Sequence, residues 1–394
     1  NLAPLADINN NPNNPVIGYR SFGENKKKVA QFAMEYLEGL NDAGVLGCLK
    51  HFPGHGNTNV DSHLGLPILN ENLEELLANE LYPFIIGIDN QVDSIMIGHL
   101  AVPALNEGKN TSATLSKNII EGLLRKQLKY NGLVISDALN MHSVSKLYDK
   151  KGQLEWEAFN AGNDVLCFAE NVPEGIQEIL KNASPERIED SYKRLMSCKE
   201  KVGLLKGNPL AKGRFNFDTT ANLNLKIAQQ CITTVKDTDN HKSIIEASEN
   251  NQLGIISLYK DSSNHFSETV ATALNTNSFA IENGSIENIT ILKQKIENLD
   301  CLVVALFVPK AKPFNNFEIE DSVLTLLDHL FSTKKCILYL FGNPYALQVI
   351  PNLTSAKGII QIYQDFPEFQ ETAASQLVNN TKTKGSLPVS IPGL

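Results

Sequence analysis

Fourteen consecutive residues, Lys50 to His63, hold a lysine, three histidines and an aspartate together with a proline and two glycines. They follow Gly44-Val45-Leu46-Gly47-Cys48-Leu49, a short apolar run that reads as a buried strand. Lys50 and His51 are therefore expected at its C-terminal end, and Pro53-Gly54 bar a helix from running on. A chain built this way must deliver a buried strand into a polar loop at the surface, which is where α/β folds carry their chemistry.

The rest of the chain repeats that grammar. Asn1 to Ile8 reads as a strand already inside a fold, and the expectation is that further sequence precedes it; neither a basic n-region nor an h-region is visible there. Asn9 to Pro15 is a loop of asparagine and proline, and Lys26 to Ala43 has helical periodicity. A helix is expected from Leu73 to Leu81, running on past Pro83 towards Gly87. Strands are expected at Val92 to His99, Gly132 to Asp137 and Asp164 to Phe168, and helices at Ser116 to Lys126, Gln153 to Ala161, Pro173 to Asn182 and Pro185 to Val202. Strands alternating with helices through short links specify a parallel sheet, and polar residues recurring at strand ends favour a barrel; with about five such strands it is short of roughly eight by about two or three.

Gly203 to Asn222 collects Gly207, Pro209 and Gly213 and reads as the linker region. The expected division is a catalytic TIM-type barrel domain at 1–205, a linker at 206–222 and an αβα sandwich domain at 223–394. Strands of the last are expected at Leu253 to Leu258, Cys301 to Val308, Cys336 to Phe341 and Gly358 to Tyr363. Their ends offer Lys310, Asn343 and Gln364 but no cluster like that of the first domain, so this domain reads as structural or modulatory.

Length and composition agree with two globular domains: 394 residues, 42% hydrophobic and 20% charged. A net charge of -9 and a pI near 5.5 argue against nucleic acid as a partner. No apolar run approaches the roughly 20 residues of a membrane span. The six cysteines are scattered without a CxxC and read mostly as small buried hydrophobes, and Trp156 as part of a core stripe.

Asp61 and His63 are two apart in a non-helical segment, so both side chains point to the same side; a carboxylate there fixes the imidazole tautomer and suits it to acid and base work. The plain alternative is a polar turn. Asp137 ends the most hydrophobic strand of the first domain and reads as a nucleophile or general base, against the alternative of a helix cap. Arg20 reads as a clamp on a substrate oxygen or as a solvated side chain. His51, His55 and His63 with Asp61 also suit a metal-dependent hydrolase, although Pro53-Gly54 prevent the helix that would align the first two.

Taken together, Lys50-His51-Phe52-Pro53-Gly54-His55-Gly56 with Asp61-Ser62-His63, the loop Asn14 to Gly23, Val134-Ile135-Ser136-Asp137 with Met141, and Ala161-Gly162-Asn163-Asp164 resemble the family 3 glycoside hydrolases, and within them the β-N-acetylglucosaminidases. The resemblance spans most of residues 1 to 205. It implies a (β/α)8 TIM-type barrel, its N-terminal strands missing from this chain, followed by an αβα sandwich. It also implies a retaining glycosidase that removes terminal β-linked N-acetylglucosamine from peptidoglycan or chitin-type saccharides. Asp137 would be the nucleophile, His63 with Asp61 the acid/base pair, and Arg20, Lys50 and His51 the substrate-binding residues. No metal or other cofactor is implied. The partner would be a small saccharide containing N-acetylglucosamine, in a bacterial periplasm or at a cell surface ahead of the cytoplasm. Hydrolysis against phosphorolysis and the oligomeric state stay open, and a non-catalytic sugar-binding protein stays as an alternative reading beside the metal-dependent hydrolase.

Overall fold

The computed structural model describes residues 1–62, 64–207, 217–238 and 242–394. Contacts divide the chain into two compact units, Asn1–Ala211 and Lys212–Leu394.

In the first unit, Asn25 caps helix α1 (Lys26–Asp42) by accepting the backbone N–H groups of Lys27 and Lys28. Gly44, at φ +71°, then turns the chain so that the Gly44 and Val45 N–H groups bond Asn41 and Leu40 carbonyls. That turn uses up Val45, which is exposed, so strand β1 is Cys48–Phe52 rather than Val45 to Leu49. Lys50 and His51 therefore lie inside the strand instead of at its end.

Helices α2 (Leu73–Ala78) and α3 (Tyr82–Asp89) replace the single helix expected there. The chain breaks at Asn79, and Pro83 sits in the first turn of the second helix, where its missing N–H costs nothing. Strand β2 (Ser94–Ile97) is shorter than expected at both ends, because Val92 N–H bonds the Gly87 carbonyl of α3 and Gly98 N–H bonds the Phe52 carbonyl. A wide-turn helix, α4 (Asn118–Gln127), leads to β3 (Leu133–Ser136), and α5 (Gln153–Ala161), α6 (Val172–Asn182) and α7 (Pro185–Lys201) follow.

β1, β2 and β3 form a parallel sheet in that order. Its flanks continue as single bridges, Leu5 to Lys50 and Val165 to Ile135, where full strands were expected. At the second flank the Asp164 carboxylate takes the Val134 N–H at 3.0 Å, a ladder position. Leu49, Ile95 and Val134 pair across the sheet and pack against the helices with Leu37, Phe84, Ile120 and Leu124. Burying each such side chain contributes about 2 kcal/mol. Cys48, Met96 and Ile135 occupy the opposite face, and by strand alternation Lys50 and Asp137 belong to that face too.

The second unit begins with α8 (Phe217–Cys231), which turns residues 217–222 of the expected linker into helix; residues 208–216 lie outside the described residues. Its strands are β4 (Thr233–Asp237), β5 (Leu253–Leu258), β6 (Asn277–Ile281), β7 (Cys301–Phe307), β8 (Lys335–Phe341) and β9 (Gly358–Gln361). They form a sheet in the order β4-β9-β8-β7-β5-β6, parallel except for β4 against β9. β4 and β6 escape an apolar-run criterion because they are edge strands, half-exposed and mixed in composition. Two apolar clusters, one on each side of this sheet, make the three-layer sandwich. One packs α11 (Ile286–Lys295) and α12 (Asp321–Thr333); the other packs α8, α9 (Lys242–Glu249), α10 (His265–Leu274) and α13 (Pro367–Val378).

The thiols of Cys48, Cys301 and Cys336 are buried, whereas Cys167, Cys198 and Cys231 are half-buried. Trp156 is half-buried as well and lines a surface cleft, not a core. An ionic hub closes the first unit: Asp164, its side chain fully buried, accepts from Arg125 at 2.8 Å, Arg187 and Arg194 at 3.1 Å, and Ser191 Oγ at 2.6 Å. Removing the carboxylate strands three guanidinium groups, so Asp164→Ala should lower the first unit's stability by about 3–5 kcal/mol. Urea unfolding followed by fluorescence of Trp156, the chain's single tryptophan, reads that unit directly; an unchanged midpoint would contradict the hub's role.

Candidate active site

Two loops and three strand ends meet at the site. Asn14 ties the loops together. Its Nδ2 donates to the carbonyls of His55 at 2.8 Å and Gly56 at 2.9 Å and to Thr58 Oγ1 at 3.2 Å, while its Oδ1 accepts from Val16 N at 2.9 Å and Ile17 N at 2.7 Å. The loops approach so closely that a Cβ on Gly56 would lie 1.6 Å from the Ile8 carbonyl oxygen, so only glycine fits there. Arg20 leaves a short helical turn, Gly18–Arg20, and donates to the Val16 carbonyl at 3.3 Å.

Asp7, fully buried, is the acceptor for the histidine loop. Oδ1 takes His55 N at 2.8 Å and His51 N at 3.1 Å, and Oδ2 takes His51 Nδ1 at 2.8 Å. Burial disfavours the Asp7 anion, but the His51 charge and hydrogen bond together with the His55 charge outweigh it and hold the carboxyl below its usual range. The Lys50–His51 peptide is cis, and the β1–β2 register shifts between Leu49 and Phe52.

Asp137 directly follows β3; its N–H continues the ladder to the Ile97 carbonyl at 3.0 Å, and its Oδ1 accepts from Ala138 N at 2.8 Å. Burial again opposes ionisation, yet His51, His99 and the Ala138 N–H outweigh it, so Asp137 is a carboxylate well below neutral pH. His99, fully buried, donates Nε2–H to the Ala138 carbonyl at 2.9 Å and meets Thr114 Oγ1 through Nδ1 at 2.8 Å, bracing the turn that carries Asp137. Burial, then the Arg20 charge, lowers the Lys50 pKa, with Asp137 and Asp7 among the groups pulling it back. These mutual influences bring Arg20, Lys50, His51 and Asp137 of the sequence-stated set into one neighbourhood. Asp61 is buried, and His63 lies outside the described residues.

His55 behaves differently from its neighbour. The Thr58 hydroxyl donates to the His55 carbonyl at 3.0 Å, so His55 Nδ1, 2.7 Å from that oxygen, is the donor and Nε2 the bare nitrogen. Burial and the His51 charge push its pKa down to about 4. Among the described residues no group of three His, Cys, Asp or Glu side chains has metal-holding geometry.

Sequence reasoning missed Asp7, Asn14 and His99. A signal existed for the first, a carboxylate set inside the apolar run Leu5-Ala6-Asp7-Ile8; nothing local marks Asn14 among its neighbouring asparagines.

The glycosyl hydrolase family 3 N-terminal domain model matches residues 1–198, and the chain belongs to that family. Its fold is accordingly a TIM-type domain followed by a sheet domain. A beta-hexosaminidase A of Pseudoalteromonas piscicida is 40% identical over 175 residues, covering 42% of this chain and 29% of that protein. A beta-hexosaminidase of Hydrogenovibrio crunogenus is 30% identical over 217 residues, 54% of this chain and 59% of that protein. The chain thus spans well under two thirds of these relatives. Among solved structures, the glycoside hydrolase family 3 beta-N-acetylglucosaminidase of Paenibacillus sp. str. FPU-7 aligns with a TM-score of 0.81 at 27% identity, over 99% of this chain and 76% of that one.

The His55 burial fixes a pH dependence. Its folded pKa, about 4, lies below the unfolded value near 6.5, so the unfolded chain binds the extra proton between those values and stability falls as pH drops from about 6.5 to 4. The expected loss is about 3 kcal/mol. Urea midpoints for the wild type and His55→Gln across that range check it: the variant's pH slope should flatten, and an equal slope in both would contradict the assignment.

Proposed function

We propose that this chain carries the catalytic machinery of a retaining exo-β-N-acetylglucosaminidase that removes terminal β-linked N-acetylglucosamine from peptidoglycan or chitin-type saccharides. The observation that carries the reading is Asp137. It is an ionised carboxylate at a strand end, held against its Ala138 N–H and facing the charges of His51 and Lys50, within a domain of glycosyl hydrolase family 3. A carboxylate with that environment is a nucleophile ready at neutral pH, able to attack an anomeric carbon and form a covalent glycosyl-enzyme.

His63, paired with Asp61, then protonates the leaving oxygen and afterwards activates water. Using an imidazole for this suits neutral pH, since its unperturbed pKa lies near 6.5. Lys50, Arg20 and His51 hold the sugar hydroxyls, and the positive charge of Lys50 also offsets the negative charge of Asp137. The names of the relatives and of the Paenibacillus structure support this substrate class.

Hydrolysis of an aryl β-N-acetylglucosaminide tests the reading. Asp137→Ala should lose at least about 10⁴-fold in kcat, a chelator should change nothing, and the circular dichroism spectrum should stay that of the wild type. Near-normal turnover by the variant, or loss of activity to the chelator with recovery on adding zinc, would overturn it.

A further inference from the structure

We propose that Asp7 is a positioning residue for the reaction: it locks His51 as the Nδ1–H tautomer, so that Nε2 is the nitrogen His51 offers to the bound sugar, and it fixes the bend that carries His51 and His55. This rests on the functional reading above and deepens it.

The geometry admits one protonation pattern. The Asp7 carboxylate accepts the backbone N–H groups of His51 and His55, and its Oδ2 lies 2.8 Å from His51 Nδ1. Held below the usual carboxyl range, Asp7 has no proton to donate to that nitrogen, and a carboxylate only accepts. His51 Nδ1 must therefore carry hydrogen. The pair is shielded, with side-chain exposures of 6% for His51 and 0% for Asp7, so water does not compete for the bond. Asp7 thus sets which His51 nitrogen is left without hydrogen, and it does so without itself reaching the substrate. The backbone around Asp7 is tied down as well: Ser21 Oγ donates to the Asp7 carbonyl at 2.7 Å, and Ala6 N to the Lys50 carbonyl at 2.7 Å.

Asp7→Asn is the informative variant because it keeps size and shape. The amide oxygen belongs on the side where two backbone N–H groups converge, which turns the amide NH2 towards His51 Nδ1. That nitrogen can accept it only by giving up its own hydrogen, and the tautomer inverts. Imidazole 15N NMR of the labelled full chain, with His51→Ala for assignment, reads the state directly. The expected result is Nδ1 protonated in the wild type and Nε2 protonated in D7N, with kcat on an aryl β-N-acetylglucosaminide down at least about 10²-fold, as for other wrong-tautomer variants, and a Trp156 unfolding midpoint close to the wild type's. An unprotonated Nδ1 in the wild type, an unchanged tautomer in D7N, or inversion with wild-type kcat would overturn the proposal. Should D7N fail to fold, the wild-type spectrum decides alone. A wild-type chain that turns over no aryl glycoside defeats the functional reading, while the two spectra still decide whether Asp7 governs His51.

Discussion

One buried carboxylate, Asp7, holds together what the site needs. It lies 44 residues from His51 and 48 from His55 in sequence, yet gathers the backbone of both and one imidazole ring around two oxygen atoms. Burying an isolated anion is costly, and this one is tolerated because each oxygen is saturated by N–H donors. The cost of undoing the arrangement is correspondingly high: the loop would lose its anchor while the carboxylate stayed in the interior. Asn14 repeats the device with a neutral side chain, using both ends of its amide to stitch the asparagine loop to the His55-Gly56 turn. Rigid loops of this kind keep a reacting carbon and a nucleophile in register, where small displacements cost large factors in rate.

Charge is arranged as deliberately as geometry. Two carboxylates, Asp7 and Asp137, share the pull of His51, and both are held ionised against their own burial. The Arg20 charge lowers the affinity of Lys50 for a proton while the carboxylates raise it again, so the charges around Lys50 are interdependent. Such a cluster is stable only as a set; removing one member leaves the others uncompensated. The Asp164 hub at the far end of β3 follows the same logic for a purely structural purpose, one carboxylate balancing three arginines.

What could be read from the chain beforehand follows from the range of the forces involved. Helix α5 and strand β5 fall where periodicity and apolar runs put them, because those signals act within one element. Asp137 was legible for the same reason, an acidic residue closing an apolar strand. The start of β1 was not, since Gly44 and its capping bonds consume Val45, and a cap depends on the helix before it. Edge strands β4 and β6 were hidden by their half-exposed composition. Asp164 to Phe168 read as a strand, but the Asp164 side chain takes a ladder position that a backbone would have filled. Asp7 stood out only as a carboxylate inside an apolar run, and the contacts through which it and His99 act join distant segments that no local pattern encodes.

The account turns on Asp137 as the nucleophile of a retaining glycosidase. The most direct measurement is mass spectrometry of the chain after reaction with an activated 5-fluoro-N-acetylglucosaminyl donor, which slows breakdown of the glycosyl-enzyme more than its formation. A single glycosyl adduct on the peptide containing Asp137, released on transfer to water, is the predicted result. Steady turnover of substrate with the adduct on another residue, or with none formed, would contradict it.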